Sequence, residues 1–166
     1  MKDEVILLSK NQSYAENFGL QWNKFQLTQF DSYSNLPLTE NRLIECSEWN
    51  LDSLKGRTVL EIGSGAGRFT EVFLKYGANV ISVDLSDAVF ANASNNASNK
   101  VLFIRASFEE LVGLDNTFDY VFCYGVSQHT PSPDEVYRFC CSMAKEGGSI
   151  SIDQYRRTPY PSPFYH

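Results

Sequence analysis

Positive charge is in short supply in this chain. Its 14 Lys and Arg stand against 20 Asp and Glu, a formal net charge of −6. That balance argues against a partner gripped mainly through phosphates, so no nucleic acid is expected. Long apolar runs are absent as well: nothing approaches the roughly 20 residues that cross a bilayer. The opening MKDEVILLSK sets acids beside its lysines around one short apolar stretch, unlike a secretory signal. The four cysteines, Cys46, Cys123, Cys140 and Cys141, lack metal-ligand spacing and two are adjacent. This excludes a zinc motif and a disulfide framework, and points to cytoplasmic thiols. Histidine is scarce and no His/Asp/Glu cluster has ligand spacing, so no metal is expected. There is no internal repeat and no Gly-Lys-Ser/Thr phosphate loop. Asn-x-Ser triplets at Asn11, Asn92 and Asn96 read as accidents of an Asn/Ser-rich composition.

With 166 residues, 43% of them hydrophobic, the chain can bury a real core. Residues 1–55 differ from the rest and are rich in Gln, Asn and aromatics. Thr39 before ENRLIECSEW reads as a capped helix with Leu43, Ile44 and Trp49 as its buried positions. In residues 56–166 strands and helices alternate. TVLEIG, NVISVD, KVLFIRA, FDYVFCYG and SISIDQY have strand character. RFTEVFLKYG, SDAVFANASNNA and SPDEVYRFCCSMAKEGG have helix character. Ser86 is the expected cap of the second of these helices. Ser132, Pro133 and Glu135 predict a capping box on the third, with Val136, Phe139, Cys140 and Met143 as its apolar face. The alternation predicts an α/β, Rossmann-like, doubly wound fold: a mainly parallel sheet with helices on both faces, after a helical or irregular N-terminal segment.

In such a sheet ligands bind beyond the carboxyl ends of the strands. Gly63-Ser64-Gly65-Ala66-Gly67 falls there, and small residues let backbone approach a ligand closely. Asp84 closes the next strand, where a carboxylate can accept from ribose hydroxyls. Glu61 sits inside an otherwise apolar strand and needs an amino group or a donor network beside it. The third glycine of the dinucleotide fingerprint would fall at Arg68. With Glu61, this disfavours a nicotinamide-dependent oxidoreductase.

The pattern Glu-x-Gly-x-Gly-x-Gly, followed by an acid at the end of the second strand, resembles motif one of the class I S-adenosylmethionine-dependent methyltransferases. The resemblance runs on through VLFIRASFEELVGLDNTFDYVFCYGVSQHTPSPDEVYRFCCSMAKEGGSISI, to about residue 155. It implies S-adenosyl-L-methionine as cofactor, with Glu61, Gly63, Ser64, Gly65 and Gly67 around its amino-acid part and Asp84 on both ribose hydroxyls. Ser107, where the family usually has an acid, and the Phe108 amide are implied at the adenine. Leu85, Tyr124 and Gly125 complete the cofactor-binding set. The family core has seven strands, and QYRRTPYPSPFYH is too proline-rich to supply a central pair. The exposed sheet edge this leaves offers a route to self-association.

Methyl transfer from a sulfonium asks the protein to align an acceptor and manage one proton. His129, in YGVSQHTP, suits a general base by its ordinary pKa, or else fixes the turn before Pro131. Asp153 and Tyr155 rank lower on the same rim. Phe18, Trp22 and Phe25 either form a lid over the sulfonium or pack a helix on the sheet. The acceptor implied is a small molecule, or a glycan- or lipid-linked one. A catalytically silent cofactor-binding domain is the alternative.

Overall fold

The computed structural model describes residues 5–8 and 27–154. In chain order the elements are β1 (Val5–Leu7), α1 (Asp31–Ser34), α2 (Leu38–Ser47), β2 (Thr58–Ile62), α3 (Arg68–Lys75), β3 (Asn79–Asp84), α4 (Ala88–Asn95), β4 (Val101–Arg105), β5 (Phe118–Cys123), α5 (Pro133–Met143) and β6 (Ala144–Ile152). Single 3-10 turns lie at Leu51–Leu54, Phe108–Glu110 and Ser127–His129. Phe18, Trp22, Phe25 and Tyr155 fall outside the described residues.

All six strands join one parallel sheet in the order β1-β4-β3-β2-β5-β6. The α/β class is as expected, and β2 to β6 are the five expected strands. The sixth, β1, comes from the N-terminal segment and pairs Val5, Ile6 and Leu7 with Phe103, Ile104 and Arg105. The chain steps one way from β2 to β3 and β4, then returns to the other side of β2 with β5 and β6. The order therefore reverses between β2 and β5, and a crevice opens beyond their carboxyl ends.

Alternation along the strands sends side chains to two cores. Val59, Val80 and Phe122 face α2 and α3, where they meet Leu43, Phe69, Val72 and Phe73. Leu60, Ile62, Val121 and Cys123 face α5, meeting Val136, Cys140 and Met143. The apolar face expected for α5 is the one buried. Phe122 is the hub of the first core: its ring lies 4.7 Å from Phe69, 5.3 Å from Phe73 and 6.0 Å from Trp49, and stacks on Tyr124 at 4.4 Å.

Four local expectations need correction. Thr39 lies inside α2 and does not cap it; the Asp31 carboxylate, from α1, accepts from the Thr39 and Glu40 amides at 2.8 and 2.9 Å. Ile44 is exposed, because α2 meets α3 through the row containing Leu43. Ser132 precedes α5 without a side-chain cap bond, although Pro133 does open the helix. The capping box forms instead at Ser107 and Glu110, which repeat the same Ser-x-x-Glu pattern. Finally, Gly147-Gly148 lie within β6: Asp119 faces a bulge of Lys145 to Gly148 between the pairs Phe118–Ala144 and Tyr120–Ser149.

Truncating the aromatic hub should be severe. Phe122→Ala is expected to lower the unfolding free energy by about 3–5 kcal/mol, read from urea denaturation. A loss below about 1 kcal/mol would mean that the cluster collapses onto the gap.

Candidate active site

The turn from β2 into α3 is built on glycine for steric reasons. Gly63 has φ +72°, and a Cβ there would meet Val126 Cγ2 at 2.0 Å. Gly67 has φ +96° at the N-terminus of α3, and its Cβ would lie 2.0 Å from Asn92 Oδ1. These are places where only glycine fits without rearrangement. The Gly63 and Ser64 amides both donate to Val83 O, at 2.7 and 3.1 Å, so the turn stays tied to the end of β3.

Asp84, half-buried at that end, reaches across the turn. Its Oδ2 accepts from the Gly65 amide at 2.7 Å, and its Oδ1 accepts from the Ser86 amide at 2.8 Å and hydroxyl at 2.7 Å. Burial pushes its pKa up, against those bonds. Ser86 Oγ also accepts from the Ala88 amide, so the serine expected to cap α4 does so from one position before the cap residue Asp87.

Glu61 lies beneath the turn and is 1% exposed. Thr70 Oγ1 donates to its Oε2 at 2.5 Å. Asn92 Nδ2 donates in turn to Thr70 Oγ1 at 2.9 Å and to Ser82 Oγ at 2.8 Å. The donor that the sequence demanded is therefore Thr70 of α3, itself held by Asn92 of α4, which also anchors on Ser82 of β3. Burial raises the Glu61 carboxyl to about 8; the Thr70 bond opposes this, the Asp84 charge adds to it and Arg68 lowers it.

A cavity of about 810 Å³ opens over the crevice. Gly63, Ser64, Gly65, Asp84, Leu85, Ser107, Phe108, Tyr124, Gly125 and His129 line it, whereas Glu61 and Gly67 sit behind its wall. Sequence reasoning missed Phe30, Arg42, Val126 and Glu135, which also line it. Phe30 packs on Ala66 and Ala91, a contact with no periodic signal in its neighbourhood. Arg68, noted only as the failed third glycine, follows the turn directly and lies on the wall with its guanidinium 4.5 Å from the Phe69 ring centroid.

His129 ends a 3-10 turn, its amide donating to Val126 O at 2.9 Å. That turn is braced from β6: Asp153 Oδ1 accepts from the Gly125 amide at 2.6 Å, and Ser127 Oγ donates to Asp153 O at 2.8 Å. Asp153 is not on the cavity wall and is committed to the loop backbone. Tyr124 stacks on Phe122, and its hydroxyl is bonded to Cys46 O and Ser151 Oγ, each at 3.0 Å.

The cavity fits a nucleoside-sized ligand carrying polar groups. Its volume lies within the usual range for small-molecule sites. Phe30, Leu85, Phe108 and Val126 offer apolar surface, and Ser64 Oγ is buried on the wall with no hydrogen-bond partner among the described residues. A bound polar group would satisfy that hydroxyl. Among the described residues no group of His, Cys, Asp or Glu could hold a metal ion, and no helix is long and apolar enough to cross a membrane.

Comparison with known proteins agrees with this geometry. Residues 60–152 match the family described as methyltransferase domain. The chain is 31% identical over 108 residues to a ubiquinone biosynthesis O-methyltransferase of Coxiella burnetii, covering 63% of this chain and 46% of that enzyme. It is 33% identical over 111 residues to the enzyme of the same name from Dechloromonas aromatica, covering 64% and 48%. The chain thus spans about half the length of the curated relatives it matches. A solved structure from Methanococcus maripaludis shares the fold with a TM-score of 0.65 at 18% identity, covering 87% of this chain and 66% of that one.

Glu61 makes the stability of the chain depend on pH. Folded, its carboxyl is raised from 4.5 to about 8, so across that window the folded state holds a proton that the unfolded state has released. Stability should therefore fall as pH rises, by at most about 1.4 kcal/mol per unit from this group. Glu61→Gln should flatten the slope, as checked by urea unfolding of both proteins across the window. Parallel slopes would mean that Glu61 is ionised in the folded chain.

Proposed function

Because the chain belongs to the methyltransferase domain family, we propose that it binds S-adenosyl-L-methionine in this cavity and transfers the methyl group to a small-molecule acceptor. The observation that carries the reading is the gathering of the glycine turn, Asp84, Ser107, Tyr124-Gly125 and His129 around one cavity at the point where the strand order reverses. The relatives' name, ubiquinone biosynthesis O-methyltransferase, supports an oxygen acceptor within the broader range of small, glycan- or lipid-linked molecules.

When bound, S-adenosyl-L-methionine supplies the methyl group already activated as a sulfonium. The chain holds, orients and moves one proton. Gly63, Ser64 and Gly65 present backbone and the Ser64 hydroxyl to the amino-acid part. Asp84, on the same wall, accepts from the ribose hydroxyls with charge-assisted bonds. Ser107 and Phe108 would hold the adenine, and Leu85, on the same wall, would complete the cofactor-binding set. Tyr124 and Gly125, braced by Asp153, set the floor where acceptor and methyl meet, and His129 accepts the acceptor's proton. Glu61 acts from behind the wall, through Thr70 on α3. In this reading residues 1–55 are an N-terminal helical or lid segment, residues 56–166 are the cofactor-binding core, and the chain works in the cytoplasm. The net charge of −6 supports a partner other than nucleic acid. The outer edge of β6, unpaired among the described residues, is the place for self-association.

Calorimetry with S-adenosylmethionine, S-adenosylhomocysteine and NAD tests the proposal. Micromolar binding of the first two alone is expected, and NAD binding with neither of them would overturn it. Asp84→Ala should weaken cofactor binding by about 1–3 kcal/mol, whereas unchanged affinity would remove Asp84 from the site. His129→Ala should slow methyl transfer by roughly 10²-fold or more at near-normal cofactor affinity. Lost cofactor affinity would give His129 a structural role instead.

A further inference from the structure

In the stretch ANASNNASNK, Ala91 to Lys100, the sequence gives a helix end and two Asn-x-Ser triplets that read as accidents of composition. In the fold, three of its asparagines converge on the back of the glycine turn. Asn95 Nδ2 donates to Ala66 O at 3.1 Å. Asn96 Nδ2 donates to Gly67 O at 2.9 Å and to Asn92 Oδ1 at 2.8 Å. Asn92 then continues through Thr70 to Glu61 and through its second bond to Ser82. Asn92 is fully buried and Asn96 nearly so, and none of the three lines the cavity.

We infer that Asn92, Asn95 and Asn96 are positioning residues that clamp the glycine turn in its cofactor-binding conformation from the side away from the cavity. The argument rests on the functional reading above and on how the turn is held. On one side Asp84 takes the Gly65 amide. On the other, side-chain amides take the carbonyls of the next two residues. A turn of small residues has many accessible conformations, and fixing it costs entropy at the moment of binding unless the fold has already done so. Asn92 and Asn96 pack directly against Gly67, where an added Cβ would meet Asn92 Oδ1 at 2.0 Å and Asn96 Nδ2 at 2.4 Å, so the side chains that bond the turn also close the space behind it. The same contacts bury the amides of two Asn-x-Ser triplets, so in the folded chain Asn92 and Asn96 are hydrogen-bonding groups and not glycan acceptors.

The test compares the intact chain with Asn96→Ala and Asn95→Ala. It uses amide hydrogen exchange in the ligand-free protein, calorimetry with S-adenosylhomocysteine, and the melting temperature. Asn96→Ala should weaken S-adenosylhomocysteine about fivefold, the equivalent of one hydrogen bond. It should also speed exchange at the Gly65 and Gly67 amides about tenfold. Asn95 is half-buried, so Asn95→Ala carries the test if Asn96→Ala does not fold, with the same directions and about half the effect. Phe90→Ala, on the exposed face of α4, should leave affinity and turn exchange as they were. Folded variants that melt lower yet keep wild-type affinity and wild-type exchange at the turn would overturn the clamp. Failure of the wild-type chain to bind S-adenosylhomocysteine would overturn the methyltransferase reading, while the exchange rates still decide the clamp.

Discussion

A carboxyl group inside a parallel sheet has to be satisfied by whatever packs on that face, and Glu61 imposes this on the whole molecule. Its neighbours along β2, Val59 and Leu60, are fully buried in apolar cores. Without a donor the group would cost several kcal/mol. Thr70 must therefore sit on the first turn and a half of α3 with its hydroxyl toward β2, and Asn92 on α4 must reach both Thr70 and Ser82. That chain of bonds fixes the rotation of α3 and the height of α4 over the sheet. Replacing both partners of a buried polar contact by apolar groups of the same shape is often close to neutral. What the polar network adds is a single register between two helices and the turn that joins β2 to α3.

Asp84 works on the other side of the same turn under different physics. It is half-buried, accepts from two amides and one hydroxyl, and has its pKa pushed up by burial despite them. Across the glycine turn the Asp84 charge adds to the rise that burial imposes on the Glu61 carboxyl. Arg68, next to the turn, lowers the Glu61 pKa. A cationic sulfonium with an ammonium group would act in the same sense, favouring the ionised forms of both acids.

How much of this could be read from the sequence depends on the range of each interaction. The five core strands announce themselves by local apolar patterns, and Glu61 advertises its need for a partner by its setting. The identity of that partner is a matter of packing: nothing in the spacing singles out Thr70. β1 is three residues long and is a strand only because β4 offers it an edge. The helix α2 is capped by Asp31 from another element, so no local signature precedes it. Two Ser-x-x-Glu patterns look alike, yet Ser107 and Glu110 close a box while Ser132 and Glu135 both face the cavity. The asparagines of α4 were least legible of all, because side chains that serve a distant backbone leave only composition behind.

Much of the cavity wall is loop, and three of its loops are held by groups that do not themselves line the cavity. Asp153 takes the Gly125 amide, Glu110 the Ser107 amide, and Asn95 and Asn96 the carbonyls of Ala66 and Gly67. Backbone tied in this way presents its remaining amides and carbonyls without further ordering, so little of the binding energy is spent on closing the site. It also means that the residues touching a ligand can change without disturbing the frame. Ser107 illustrates this: it lines the cavity, and its amide is anchored by Glu110 from behind. Asp153, Glu110, Asn95 and Asn96 thus hold the frame without touching the cavity, while Phe30, Arg42, Val126 and Glu135 lie on its wall and Asp84 does both.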